Sequence, residues 1–169
     1  SACAPNEILN IEGFNEFYKN WKNVAQKSNW SYLDIDHNFM SWRYSAPGVR
    51  YLCSVVRNSR DEIVGYAIGR RLKIGRFNYL VIGDMRSIEP RTVPQLIKGL
   101  RSQTHNVIGI AGMFSSEVIN HLRLKKSGFL TTPRKFLLIQ FTRQMLDPSY
   151  DKDSTLISPY LTWSDTDDI

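Results

Sequence analysis

The sequence has little cysteine and no long apolar run, and each scarcity excludes a class of protein. The two cysteines, Cys3 and Cys53, lie too far apart for the CxxC spacing of a zinc or redox site. Two cysteines are also too few for a disulfide framework, so we predict reduced cysteines and a cytoplasmic location. The longest apolar run, Val107 to Phe114, is far shorter than the ~18 residues that cross a bilayer, so no membrane partner is predicted.

Histidine is also scarce, and the three residues are scattered: His37, His105 and His121. They show no metal-ligand spacing, so we predict no metal site. The chain contains no nucleophile elbow, P-loop or Ser-His-Asp pattern, which excludes the common hydrolase and nucleotide-binding signatures. His121 falls on a predicted helix, where a surface position is the simplest expectation.

The charge is unevenly distributed along the chain, whose net charge is +6. Residues 1–144 carry 21 basic and 10 acidic residues, a balance of +11, whereas residues 145–169 carry one lysine against six aspartates, a balance of −5. We therefore predict a basic domain over 1–144 and an acidic C-terminal extension over 145–169 that packs on the domain or trails from it. A basic domain favours anionic partners. The alternative is that these basic residues only form solvated surface that keeps the domain in solution.

One basic cluster surrounds a predicted turn: Arg70, Arg71, Lys73 and Arg76. Such a cluster suits nucleic acid or simply keeps a loop solvated. The chain has neither the aromatic set of an RNA-binding sheet nor a helix-turn-helix pattern, so we do not predict nucleic acid as the partner.

Hydrophobic periodicity predicts two helices followed by a meander of three strands. Helical spacing of apolar residues predicts a helix over 15–27. A second helix is predicted over Asp36–Tyr44, with Asp36 as its N-cap. Alternating apolar residues then predict three successive strands: Tyr51–Arg57, Glu62–Leu72 and Phe77–Met85.

After the meander, helices and strands alternate. Thr92 and Gln95 have the spacing of a capping box and predict the start of the next helix. The remaining predicted elements are a strand over Val107–Met113, a helix that opens near Ser115 and ends at Gly128, and a strand over Phe136–Phe141. A meander followed by β-α-β-α-β predicts an α/β (α+β) domain with a mixed central sheet and helices on both faces.

Four short segments occur in an order that is known from one family. They are Phe39–Tyr44 (Phe-Met-Ser-Trp-Arg-Tyr), Ile63–Ala67 (Ile-Val-Gly-Tyr-Ala), Leu122–Phe129 and Leu161–Asp167. With the element order, they resemble the GNAT N-acetyltransferase superfamily, and the Trp-Arg-Tyr segment resembles a bacterial GNAT-like subgroup usually found within larger chains. The resemblance implies a GNAT-like sheet and transfer of an acetyl group from acetyl-CoA to the amine of a small molecule or peptide.

The resemblance places the diphosphate of coenzyme A at the loop that follows the third meander strand. The family's glycine-rich cradle corresponds here to residues 86–94, which contain no glycine. Pro90 and Pro94 also remove two N–H donors, and Glu89 would repel a phosphate. An ordinary strand-to-helix connection is therefore the alternative interpretation of this loop.

Arginine side chains would replace the missing backbone contacts if the loop binds the cofactor. The predicted cofactor-binding residues are the strand end and the first turn of the loop: Met85, Arg86, Ser87, Arg91 and Thr92. Of these, Arg86 and Arg91 are expected to contact phosphate.

Asp84 is the predicted catalytic residue, because it is the only carboxylate on the third meander strand. The resemblance places the thioester there, where a carboxylate would act as general base. The tyrosine that serves many family members as general acid corresponds to Leu124, so Tyr79 or Tyr160 would have to replace it. The alternative is that Asp84 caps a helix or pairs with an arginine such as Arg43.

A second interpretation of the whole chain is a catalytically degenerate GNAT-like domain. Such a domain would form the binding or structural half of a larger protein, paired with a second GNAT-like domain or with a copy of itself. The glycine-free loop and Leu124 favour it. The enzymatic interpretation requires a V-shaped gap between the central strands beside Asp84.

Overall fold

The computed structural model shows a five-stranded mixed sheet with helices packed on both of its faces. The residues it describes are 2–3, 13–35, 37–45, 47–130 and 158–160. The predicted cap at Asp36, the predicted strand Phe136–Phe141 and most of the acidic extension lie outside these residues, so the proposed division after residue 144 stays a prediction.

Four α-helices and seven strands are present in the described ranges. The helices are α1 (Phe14–Lys27), α2 (His37–Tyr44), α3 (Val93–Arg101) and α4 (Ser116–His121), with 3-10 turns at Pro90–Thr92 and Leu124–Ser127. The strands are β1 (Ala2–Cys3), β2 (Trp30–Tyr32), β3 (Tyr51–Arg57), β4 (Ile63–Ile74), β5 (Phe77–Ser87), β6 (Gly109–Gly112) and β7 (Ser158–Tyr160). None of these helices has the length and apolar character needed to cross a membrane.

The sheet order is β1-β3-β4-β5-β6, with β6 parallel to β5 and the other neighbours antiparallel. A separate parallel pair joins β2 to β7. The β3–β4 turn is shaped by Asn58, whose side-chain oxygen accepts hydrogen bonds from the N–H groups of Arg60 (2.9 Å) and Glu62 (3.0 Å). The β4–β5 turn needs Gly75, whose φ of 60° favours glycine.

The two faces of the sheet are covered by different helices. α1 covers one face, where the rings of Phe14 and Phe17 lie 5.7 and 5.8 Å from the ring of Tyr66 on β4. α3 covers the other face, and Gly99 on α3 packs against the side chain of Ser54 on β3 so closely that a Cβ at position 99 would overlap it. Period-two alternation therefore assigns every β4 and β5 side chain to an α1 face or an α3 face.

Two sequence predictions about these elements are wrong. Thr92 forms no side-chain cap on α3, because its hydroxyl bonds back to the carbonyl of Glu89 at 2.8 Å. Cys53 is disulfide-bonded, and its Cα is in register with that of Cys3 across the β1–β3 pair. The long separation in sequence was misleading, because β1 and β3 are neighbours in the sheet. The cytoplasmic location, which relied on reduced cysteines, stays a prediction.

Candidate functional site

The centre of the sheet carries a β-bulge at Gly83. The antiparallel register between β4 and β5 shifts there, and Gly83 has no partner on β4. The parallel pairing between β5 and β6 ends at Ile82 and Gly112. Residues 83–87 of β5 therefore continue beyond the last paired residue of β6. The pairing thus ends two residues before Asp84, and we call the region beyond the last pair the strand gap; that it opens into a V-shaped gap stays a prediction.

Asp84 lies at the start of the strand gap with its carboxylate on the α1 face. The side chain is buried, and the Tyr66 hydroxyl donates a hydrogen bond of 2.5 Å to Oδ2. The other oxygen, Oδ1, lies 3.6 Å from Nε of Arg86. Burial, reinforced by the Asp84 charge, raises the pKa of Tyr66 well above its usual value, so the tyrosine remains a donor. An arginine partner was the alternative expected for Asp84, and Arg86 supplies one.

Arg86 is fully buried on the same face as Asp84, contrary to the expectation that it reaches a phosphate in the loop. Its guanidinium lies 4.4 Å from the ring centroid of Trp21 and 5.8 Å from that of Tyr18, both on α1. Aromatic faces attract a cation, and a desolvated contact of this kind contributes up to about 2 kcal/mol. Arg86 therefore joins the charged end of β5 to the aromatic face of α1.

Met85 and Ser87, also predicted to bind the cofactor, are buried on the α3 side of β5. The Ser87 hydroxyl organises the loop, since it lies 2.8 Å from the Thr92 hydroxyl and accepts a 3.1 Å hydrogen bond from the Glu89 N–H. Of the five predicted cofactor-binding residues, Arg91 is the one with an exposed side chain, and its Nε bonds Glu89 Oε2 at 2.7 Å.

The backbone N–H groups of the loop after β5 are largely engaged in hydrogen bonds within the protein. Four backbone groups donate within the protein: those of Ile88, Glu89, Thr92 and Val93. Their acceptors are the Val64 carbonyl, the Ser87 hydroxyl and the carbonyls of Glu89 and Pro90. An anion-binding nest needs N–H groups that point at the ligand, so this conformation offers few donors to a diphosphate.

His121 on α4 reaches the far end of the strand gap. Its Nε2 lies 2.7 Å from the carbonyl oxygen of Ser87, and its ring meets that of Trp30 edge-on at 4.7 Å between centroids. A carbonyl only accepts, so Nε2 carries the proton and donates. The expectation of a surface histidine is therefore wrong, because the ring is half-buried between β2 and β5.

Burial lowers the pKa of His121 below its usual 6.5, and the hydrogen bond to Ser87 opposes that shift only in part. The unfolded ring takes up a proton more readily than the folded one, so we expect stability to fall as the pH is lowered through about 6.5. His121→Gln keeps a side-chain donor without titrating. Urea unfolding between about pH 7 and about pH 5 should give this variant a flatter stability profile than wild type. Identical pH profiles would contradict the assignment.

No protein-family model matches the chain, and no curated protein matches it in sequence. Among solved structures, the chain is similar to an aminoglycoside acetyltransferase from an uncultured soil metagenomic sample in complex with sisomicin. The identity is 13%, the TM-score 0.52, and the match covers 84% of this chain and 93% of that one. It is also similar to the ribosomal-protein-alanine N-acetyltransferase of Brucella melitensis biovar Abortus, at 11% identity and TM-score 0.53 over 83% and 98% of the two chains. The fold is that of the GNAT acetyltransferases.

Three residues at the strand gap of this GNAT fold were absent from the predicted site. Gly83 carried a usable signal, since a glycine inside a strand often marks a bulge. Tyr66 belongs to the Gly-aromatic-small segment that supported the resemblance, but its bond to Asp84 depends on the β4–β5 register. His121 carried no local signal, because its contact with Ser87 joins residues 34 positions apart.

Proposed function

We propose that this GNAT-fold domain is an acyl-CoA-dependent N-acyltransferase that transfers an acetyl group from acetyl-CoA to an amine. The observation that carries the proposal is the end of the β5–β6 pairing at Ile82 and Gly112, directly before the bulge at Gly83. An extended arm with amide groups, such as pantetheine, would suit the place where two strands stop pairing, because it can hydrogen-bond as an added strand does. The acetyltransferase names of the similar structures agree with this activity.

The two halves of the cofactor fit this chain unequally. The proposal places the pantetheine half at the strand gap, beyond the last pair of β5 and β6. The diphosphate half meets a loop whose backbone donors are largely used, so Arg91 would hold it by its side chain after leaving Glu89. We therefore expect weak affinity. When bound, the cofactor would supply the acyl group as an activated thioester.

The proposal assigns proton transfer to Asp84, which lies one residue beyond the bulge at Gly83. Its carboxylate is buried and already bound by Tyr66, so a structural role must be separated from a chemical one. In Asp84→Asn, a chemical role predicts lost turnover with retained acetyl-CoA binding. A purely structural role predicts that acetyl-CoA binding is lost together with turnover.

A second candidate function is a non-catalytic GNAT-like domain that pairs with another GNAT-like domain or with a second copy of this chain. Specific observations favour it: the loop satisfies its own donors, His121 occupies the Ser87 carbonyl, and Leu124, at the position of the family's tyrosine, is buried. In this function the fold provides an interaction surface, and no cofactor enters the strand gap.

Calorimetric titration with acetyl-CoA distinguishes the two functions. We expect the wild-type protein to bind, and His121→Ala to bind more tightly, because removing the ring frees the Ser87 carbonyl at the end of the strand gap. Asn120→Ala, an exposed neighbour on α4, is the matched control and should bind like wild type. No heat from wild type or His121→Ala at roughly millimolar ligand would contradict the acyltransferase and favour the non-catalytic domain.

A further inference from the structure

A basic cavity lies at the end of the sheet where α3 ends. Its volume is about 400 Å³, within the range of small-ligand sites. It is lined by the segment that leads into β3, by the second half of β4 and by the segment after α3, and this lining includes Arg50, Leu52, Arg71, Gln103 and His105. We call it the arginine cavity. Because α3 is nine residues and so about 13 Å long, the cavity is well separated from the loop before α3.

The charges that line the arginine cavity have one sign. Leu52 and Gly69 are directly opposite each other in the β3–β4 register. Arg71 comes two residues after Gly69 and so lies on the α3 face, and Arg50 directly precedes β3 beside the Tyr51–Arg70 pair. Among the described lining residues there is no aspartate or glutamate. Like charges that line one cavity repel each other, and a bound anion would remove that cost.

Arg70 borders the arginine cavity, but alternation along β4 gives its side chain the α1 face, opposite that of Arg71. The donors of the cavity are therefore Arg50 and Arg71, because guanidinium groups form their strongest hydrogen bonds with phosphate or carboxylate.

The wall after α3 is fixed in place by Gln103. Its side-chain amide donates to the Cys53 carbonyl at 2.7 Å and to the Gly99 carbonyl at 2.8 Å, which ties the segment after α3 to β3. The segment before His105 is therefore held against both β3 and α3. A site with an anchored wall loses less conformational entropy when a ligand binds.

We propose that the arginine cavity is a binding site for a small ligand that carries a diphosphate group. Arg50, Arg71 and His105 match two adjacent phosphates, and the cavity is larger than one phosphate requires. Its concave shape favours a small molecule over a nucleic-acid backbone, which would also be expected to use aromatic stacking platforms. The site is separate from the strand gap and does not depend on the proposed acyl transfer.

Calorimetric titration with inorganic diphosphate tests the site. We expect binding to wild type and a loss of affinity of at least about tenfold in the double variant Arg50→Gln/Arg71→Gln. Both residues are exposed, so the variant should fold, which circular dichroism verifies. Arg60→Gln removes an exposed arginine from the opposite end of the same two strands, and its affinity should equal that of wild type.

Three outcomes would overturn the proposal: no binding to wild type, unchanged affinity in the double variant, or an equal loss in Arg60→Gln. The same titrations with a short DNA duplex test nucleic acid as the alternative ligand. Binding of DNA that is tighter than that of diphosphate and is lost in the double variant would also overturn the proposal, in favour of nucleic acid. Acetyl-CoA titrations with saturating diphosphate keep the two sites apart, because binding that persists under these conditions belongs to the strand gap.

Discussion

Replacing Arg86 by methionine is expected to lower the free energy of unfolding by about 3–5 kcal/mol. Arg86 is the positive neighbour of Asp84 in a fully buried region, with Nε 3.6 Å from Oδ1. Methionine fills similar space without charge, so Asp84 would keep its bond from Tyr66 and lose its cationic neighbour. Leaving a buried charge uncompensated is among the largest penalties that a single substitution causes.

A double-mutant cycle by urea denaturation measures this coupling. Asp84→Asn combined with Arg86→Met should cost much less than the sum of the single changes, because the second change removes the charge that the first left unpaired. Arg91→Met is the matched control. It removes an exposed arginine five positions along the chain and should change stability by no more than about 0.5 kcal/mol. Additive single effects would show that Asp84 and Arg86 are independent.

Replacing Trp21 by alanine is expected to cost about 3–5 kcal/mol. Trp21 is fully buried on α1, stacks at 8° on Tyr18 and meets Tyr32 edge-on at 5.1 Å between ring centroids. Its removal would leave a cavity and would also take away the ring that faces the Arg86 guanidinium. Loss of packing and loss of the cation–π contact therefore act in the same direction.

Thermal and urea unfolding of two further variants separate these contributions. Trp42→Ala is the matched control, because Trp42 is 65% exposed on α2 and its removal should change stability by no more than about 0.5 kcal/mol. Trp21→Phe keeps an aromatic face toward Arg86 and should fall between wild type and Trp21→Ala. Equal losses at positions 21 and 42 would contradict the packing described for α1.

The sequence predicts the local elements well where a periodic pattern is bounded by a turn. The strand Tyr51–Arg57 has the predicted bounds, and α1 begins one residue before its predicted range. Alternation of apolar residues and an asparagine turn are sufficient there, because both act over a few residues. β6 is shorter than predicted, since its pairing with β5 ends at Gly112 and apolar composition alone does not reveal where a partner strand diverges.

The candidate site is much less predictable than the fold. Asp84 and Arg86 are polar residues near the end of an apolar strand, a pattern that equally suits a solvent-exposed loop. Their burial follows from the aromatic face of α1, about 60 residues earlier in the chain. His121 reaches Ser87 through tertiary packing in the same way. Short-range patterns do not encode such contacts, whereas the overall element order does specify the GNAT fold.

The extra residue at Gly83 determines the face of the sheet to which the last side chains of β5 point. Before the bulge, Leu80 and Ile82 point to the α3 side; after it, residues of the same parity, Asp84 and Arg86, point to the α1 side. If Gly83 paired with β4 as an ordinary strand residue, the alternation would run unbroken and the charged pair would face the apolar layer beneath α3, while Met85 would exchange places with it. The bulge, and not the identity of any side chain, therefore decides on which face of the sheet the charged end of β5 is buried.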